Sequence, residues 1–443
     1  MSNSSGSYMP DLSTAVSIAS PGVPQTSRAS DRTLPSRLLV VSVLPPHGAP
    51  EAVHGLALSQ HLAARGLEVH VISQTNALAP DDANLTVHPI MTDWGWRDTP
   101  ILFRTLRAIR PDAVILLFIE WAYRPSYMIS FLPSFAKLAL PTVTTVCQFE
   151  NVYNPAPLQN TEFDASMREL CEIVVDPSQV HPVYGTLLRD SDRIIVQCND
   201  NLDVLAGLCP TIRGKAVLKP CPALIAMSEE STESRKIGRS RLGYDQATFI
   251  IAFYGFLYPS KGIETLFRAL ALVRRQLPQV ALIIIGDVLD ADGLSRTGRS
   301  LDYGDQLHKL ALELEISDII QWTGRFTWNE IRPSLYLRAA DCCVLPFNDG
   351  VRFHNSSFAT AALHGLPIIT TCGSHLEGAF VHDHNVYLCP PQNPVALAEA
   401  IAAVATTAER QDRLRTGARA LAKEYFSWEQ AVSKTLFSCG YEF

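Results

Sequence analysis

The sequence predicts an α/β protein of two tandem domains, each a doubly wound parallel sheet, and three observations carry that prediction. Short apolar runs rich in Val, Ile and Leu alternate with helical patterns along the chain, which is the signature of βαβ units with sheets buried on both faces. The alternation breaks once, in a polar stretch after Pro222, and then begins again. The 443 residues exceed a usual domain of ~150 residues about threefold, enough for two large α/β units with deep cores.

The elements follow in order. The first 35 residues hold nine Ser and four Pro with neither a basic start nor a long apolar run, so 1–35 is expected to be a disordered leader and not a signal peptide. The N-terminal domain, 36–225, opens with a β-branched run at 37–44 and a Pro/Gly turn at 45–48. A helical pattern then runs through Leu56, Leu58 and Leu62 to Gly66. Strands are expected at 68–73, 85–90, 112–119, 142–146, 193–197 and 216–218. Residues 228–236 are polar and charged with no large apolar side chain, which places a linker at 226–244. The C-terminal domain, 245–405, repeats the alternation with strands at 249–254, 280–285, 319–322, 342–345, 368–370 and 386–388. The tail reads as helices at 395–405, 409–424 and 428–437, so that 406–443 is a helical C-terminal segment. Doubly wound sheets bind ligands at the carboxyl ends of their strands, and two of them place a cleft between those ends.

Composition removes several classes of function. Hydrophobic residues make up 47% of the chain and charged residues 18%, with a mean hydropathy of +0.09, which excludes a disordered or fibrous protein. The net charge of −7 gives no cationic field of the kind nucleic acid needs, so no nucleic-acid partner is expected. Ten cysteines form no Cys-x-x-Cys pair and mostly sit in apolar runs, as expected of reduced core thiols in a cytoplasmic protein. The richest apolar run, 113–119, ends at Glu120 and is far shorter than the ~18 residues of a membrane span.

Two segments of the second half carry chemistry. In Tyr254-Gly-Phe-Leu-Tyr-Pro-Ser-Lys-Gly262, Gly255 and Gly262 bracket a turn after a strand and Lys261 stands at the mouth of the next helix. A lysine beside the free amides of a helix N-terminus suits a diphosphate, because both act on the same oxygens; a βα turn with a solvated lysine is the plainer reading. In the second segment a strand ends at Leu345, a loop carries Asp349, Gly350, Arg352 and His354, and a helix opens near 355–357 and closes at Gly365. The Ser and Asn residues there are simple caps and His364 a last-turn residue favoured by the dipole, yet the arginine and histidine at a helix N-terminus again suit an anion.

In this order and spacing the two segments resemble the nucleotide-binding half of the retaining glycosyltransferases of family 4, which have two Rossmann-like domains facing each other across a cleft (the GT-B type) and include sucrose synthases and bacterial mannosyltransferases. The matching residues are Gly255, Lys261-Gly262, Gly286, Thr323-Gly324, Ala340-Asp341, Leu345-Pro346, 361–367 and Glu377. The resemblance implies transfer of a sugar from a nucleotide diphosphate sugar to a glycan, lipid-linked or small-molecule acceptor, with retention and without a metal ion or other cofactor. Peripheral membrane contact is common in the family, although no strong basic amphipathic helix is visible here. On this reading Lys261 and the amides near Ser356 and Ser357 hold the leaving diphosphate, and the base sits in the turn of Gly324, Arg325 and Phe326. His354, Thr360 and Glu377 complete the donor site, and the first domain's turn with Gly48 closes over phosphates or acceptor.

The sequence departs from the family where two carboxylates usually stand eight residues apart, one near the reacting sugar and one on the ribose; those places hold Arg352 and Thr360. Either this is a branch in which Arg352 grips the diphosphate as a bidentate fork, or it is a member that binds nucleotide or carbohydrate without turning it over. An epimerase of the same fold is a third reading. In the first half, Glu120-Trp-Ala-Tyr-Arg-Pro125 and Gln148-Phe-Glu-Asn-Val-Tyr153 follow strands, so Glu120 and Glu150 are candidates for orienting an acceptor hydroxyl. The alternative for the former is a turn with Trp121 and Tyr123 packed inward. His47 and His54 could also face the cleft, and Asp290 with Asp292 reads as a solvated turn. The candidate catalytic residues are thus Lys261, Arg352, Glu120 and Glu150.

Overall fold

Thirteen short runs of apolar residues become strands, and every strand pairs with its neighbours in parallel. The computed structural model describes residues 37–47, 50–123, 128–152, 184–288 and 303–441. Seven strands form the first sheet: β1 (Arg37–Val41), β2 (Glu68–Gln74), β3 (Leu85–Met91), β4 (Ala113–Phe118), β5 (Thr144–Phe149), β6 (Arg193–Val196) and β7 (Ala216–Leu218), in the order β3-β2-β1-β4-β5-β6-β7. Six form the second: β8 (Phe249–Tyr254), β9 (Val280–Ile285), β10 (Ile320–Trp322), β11 (Cys342–Leu345), β12 (Ile368–Thr371) and β13 (Tyr387–Cys389), in the order β10-β9-β8-β11-β12-β13. All six residues of β4 and of β9 are buried, as strands covered by helices on both faces must be. Side chains alternate between the faces, so Leu39 and Val41 of β1 enter one core and Leu38 and Val40 the other.

The strand order reverses between β1 and β4 and again between β8 and β11. The loops leaving these four strands therefore diverge to opposite sides and leave a crevice at their carboxyl ends. Those loops contain the turn after β1, Glu120, the Gly255–Gly262 turn and the Pro346–Asn355 loop. The two Rossmann-like sheets expected from the sequence are thus present, and the topology itself indicates where ligands bind.

The expected linker is different in kind. Thr232–Leu242 is a helix, capped by the Ser231 side chain, which accepts from the Ser234 amide, and closed by Gly243 in the left-handed conformation at φ 78°. It packs on the helix Arg332–Ala339 so closely that a Cβ on Gly238 would lie 2.2 Å from the Leu335 carbonyl oxygen. Polar groups do the anchoring. Arg239, 1% exposed, donates to the carbonyls of Asp245 at 3.0 Å and Ala339 at 2.8 Å and also to that of Thr248. Arg235 bonds Asp341 Oδ1 at 2.5 Å and the Ala340 carbonyl at 2.8 Å. Leu242 at the end of the helix enters the second half's apolar core, and arginines and a glycine make the rest of these contacts.

The three tail helices form near their expected places, at Pro394–Ala405, Ala408–Leu421 and Trp428–Ser438. The last of them crosses to the first sheet, where Val432, Leu436 and Cys439 share a core with Leu38, Val40 and Leu58. Trp428 stacks on His61 at 4.4 Å and donates its indole N–H to the Ala223 carbonyl at 3.1 Å. All nine described cysteines are free and seven of them are buried. Among the described residues no helix is long and apolar enough to cross a membrane. The expected leader 1–35 lies outside the described residues, as do Cys171, Gly48, Arg124, Pro125, Tyr153, Asp290 and Asp292.

Candidate active site

Backbone crowding at the end of the second sheet explains its glycines. Gly255 has φ 126°, and a Cβ there would touch the Cβ of Ser357 at 3.5 Å, so the end of β8 lies against the start of the helix Ser356–Leu363. At Gly286, φ 141°, a side chain would strike the Gly255 carbonyl oxygen at 2.1 Å. Gly324 bridges to Gly286, and Phe326 stacks on Tyr254 with ring centroids 5.8 Å apart. Arg325 lies beside them, exposed, donating to the Val288 carbonyl at 3.1 Å. Gly255, Ser357 and the Gly324–Phe326 turn, separated widely in sequence, are thereby brought to one place.

The Lys261 turn joins this group from the other side. Gly262, φ 69°, caps the helix Ile263–Val273, and its Cα lies so near the Pro346 carbonyl that a Cβ would sit 2.0 Å from the oxygen. Asn348 stitches the two loops together, its amide donating to the Ser260 carbonyl at 3.0 Å and its side chain to that of Pro259 at 2.9 Å. The Lys261 ammonium lies between the rings of Tyr258 and Phe347, 5.0 and 4.9 Å from their centroids. These contacts hold the stem without neutralising the charge, and among the described residues Lys261 makes no ion pair. An unneutralised ammonium at a helix N-terminus is a site for an anion.

The loop before the helix Ser356–Leu363 differs from expectation. Arg352 is not open to a diphosphate: its guanidinium pairs with Asp200 on the helix Asn199–Leu208 of the first half and donates to the Asp349 carbonyl at 3.4 Å. A fork on the donor would have to displace that carboxylate. His354 turns its Nδ1 toward Cys198 Sγ at 3.3 Å, and burial together with Arg352 and Lys261 lowers it to about 4, so its ring is neutral near pH 7. Thr360, expected in the donor site, is 0% exposed and stands behind the surface. The Ser357 hydroxyl is enclosed without a hydrogen-bond partner among the described residues, while Ser356 remains half-exposed. Glu377 is 6% exposed: Oε1 accepts the Phe353 amide at 3.4 Å and Oε2 has no hydrogen-bond partner among the described residues. Burial raises its carboxyl above the ordinary range, and the Asp200 charge adds to the shift against the opposing pull of the Phe353 amide and Arg352. His364 does not serve as a charged last-turn residue. It is buried between Ser334 Oγ and the Thr360 carbonyl, both at 2.7 Å, and burial lowers it to about 4.

In the first half the expected acceptor carboxylates separate. Glu120 begins the short turn Glu120–Tyr123 and is half-buried at the end of β4. Tyr123 packs inward, its hydroxyl donating to the Leu117 carbonyl at 2.7 Å and its ring stacked on Phe118. Glu150 is enclosed and engaged: Oε2 meets His54 Nδ1 at 2.7 Å and Gln197 Nε2 at 2.8 Å, and Oε1 accepts from Gln148. Burial alone would raise it, but His54, Lys219 and the Gln148 amide outweigh that and hold it below the ordinary carboxylate range. A carboxylate buried and held by three side chains in this way orders the end of the sheet and is not open to an acceptor, which corrects the expectation for Glu150 and for a cleft-facing His54. Lys219, 0% exposed and depressed to about 8 by burial, reaches Thr435 Oγ1 at 3.2 Å and so ties this cluster to the last helix.

Asp200 is the residue that sequence reasoning passed over. It follows β6 in Gln197-Cys-Asn-Asp200, and the criterion that singled out Glu120 and Glu150, a carboxylate just past a parallel strand, applies to it equally. Among the described residues no group of three or more His, Cys, Asp or Glu is placed to hold a metal ion.

Comparison with known proteins gives this geometry a context. Residues 234–421 match the family described as Glycosyl transferases group 1. The match begins inside the helix Thr232–Leu242, so that helix belongs with the second sheet. The D-inositol 3-phosphate glycosyltransferase of Salinispora tropica is 28% identical over 224 residues, 49% of this chain and 42% of that protein. The protein of the same name from Streptomyces bingchenggensis is 28% identical over 252 residues, 55% of this chain and 52% of its own length. The chain thus spans about half the length of the curated relatives it matches. Among solved structures, Anabaena HepE in complex with UDP and glucose superposes with a TM-score of 0.65 at 15% identity, covering 91% of this chain and 99% of that one. At that identity the likeness shows the fold.

Proposed function

We propose, from the match of residues 234–421 to the group 1 glycosyl transferases, that the chain moves a sugar from a nucleotide diphosphate sugar to a hydroxyl acceptor, in the cytoplasm, with retention at the anomeric carbon and without a metal ion. The observation that carries the reading is the convergence of Lys261, Gly255 and the Ser357 end of a helix at the carboxyl edge of the second sheet. Charge accumulates on the leaving diphosphate as the glycosidic bond breaks. A fixed ammonium and oriented amides stabilise it there more than in the bound donor, which lowers the barrier. The stack of Phe326 on Tyr254 offers an aromatic flank for the base, and Glu120, just past β4, is the candidate on the acceptor side.

The engagement of Arg352 by Asp200 and the enclosure of Thr360 favour a second reading, a protein that binds nucleotide or carbohydrate within a polysaccharide assembly without turning it over. Titration calorimetry with UDP, GDP and ADP tests the donor site, and binding of at least one is expected. Lys261→Ala should weaken that binding about tenfold or more, the worth of a charge-assisted hydrogen bond, and leave the melting temperature unchanged. Wild-type protein that binds none of the three would refute the donor site. Release of free or transferred sugar from a bound nucleotide sugar would exclude the non-catalytic reading.

A further inference from the structure

The loop that follows β11 does not stand alone at the cleft; the first half reaches into it. Arg352 pairs with Asp200, His354 Nδ1 lies 3.3 Å from Cys198 Sγ, and the Cys221 amide donates to the Phe353 carbonyl at 3.0 Å. Three consecutive residues of the second half are thus held by residues beyond the last strands of the first. The Asp200 carboxylate is only partly used. One oxygen takes the Arg352 guanidinium, whereas among the described residues the other has only His375 Nε2 at 3.9 Å, outside hydrogen-bond reach. Its side chain is 35% exposed, so that oxygen can meet a ligand.

Glu377 supplies the independent observation. It is more than nine-tenths buried, touches the same loop through the Phe353 amide, and leaves Oε2 without a partner among the described residues. A buried carboxylate oxygen with nothing bonded to it costs free energy unless a ligand completes it. Two carboxylates, one from each half, therefore meet adjacent residues of one loop, and each has an oxygen without a hydrogen-bond partner among the described residues. Carboxylate oxygens accept hydrogen bonds from hydroxyls, and a pair of them suits a polyhydroxylated ring.

We propose that Asp200, delivered across the cleft and oriented by Arg352, acts with Glu377 to bind the hydroxyls of the transferred sugar, so that the sugar pocket is complete only when the two halves are in contact. Arg352 is then a positioning residue for Asp200 and not a ligand of the diphosphate. The inference rests on the donor-site reading above, and its test separates the two. Wild type, Asp200→Asn and Glu377→Gln are titrated calorimetrically with UDP, GDP and ADP and with the glucose conjugate of each. Asp200→Asn keeps the size and one acceptor of the side chain; Glu377→Gln carries the same test from the other half should the first variant fold poorly.

The expected result is a loss of about tenfold or more in affinity for the conjugate, with the affinity for the matching diphosphate changed less than twofold. A structural role would instead weaken both ligands together. Equal loss for both, or no loss for either, in both variants would overturn the assignment while leaving the donor site standing. A wild-type protein that binds no diphosphate would overturn the donor reading and this inference with it.

Discussion

At the residue scale, the site is decided by which charges are spent. Among the described residues Lys261 makes no ion pair and Asp200 and Glu377 each have an oxygen without a hydrogen-bond partner, whereas Glu150 and Arg352 are engaged inside the protein, and nothing in the residue types separates the two groups. Glu51 shows how far enclosure can shift a group. Its residue is half-buried, yet carboxyl oxygen Oε2 is enclosed without a partner among the described residues, and burial raises the group to about 8. A folded pKa above the unfolded one means a stabilising contribution that is full below about 4.5 and lost as the pH rises through 8. Glu51→Gln, which imitates the protonated form, should flatten that part of the profile: urea midpoints at pH 5 and pH 8 should differ less in the variant than in the wild type. Lys219 acts in the opposite direction in its own window. Its folded value of about 8 lies below the ordinary 10.5, so its contribution is present above 10.5 and lost as the pH falls through 8. The lysine at a helix mouth was legible in the sequence because local spacing creates that site. Asp200 was not, because its importance comes from Arg352, 152 positions away.

At the element scale, periodicity served well for strands and poorly for the polar helix. Runs such as Val280–Ile285 could only be strands of a covered sheet, since every side chain is apolar and most are β-branched. The helix Thr232–Leu242 hides its anchoring in residues that ordinarily face water. Arg239→Met tests this directly. It leaves at least three carbonyls without their donor and should cost about 3 kcal/mol or more, read as a lower urea midpoint. A solvated linker residue would change stability by less than about 0.5 kcal/mol. The loops at the sheet ends follow the same division. Their glycines mark where the chain turns, but the close approach of Gly262 to Pro346, or of Gly286 to Gly255, exists only once the strands are side by side.

At the scale of the whole molecule, the two halves are joined by the chain's last helix as well as by the cleft contacts. Leu436, 1% exposed, lies in the first sheet's core although it is more than two hundred residues beyond that sheet's last strand. Leu436→Ala should cost about 2–5 kcal/mol, and hydrogen exchange should accelerate first in β1 and the helix Pro50–Ala63, with the second sheet affected less. The sequence by itself determined the class of the protein, its thirteen strands in two parallel sheets and the Lys261 turn. These follow from periodicities and local spacings that act over a few residues. Only the tertiary structure decided which carboxylates are free, that Arg352 answers to Asp200, and that the tail closes the first half. Those outcomes depend on pairings between distant residues, and a charge's availability is set by the partner the fold brings to it.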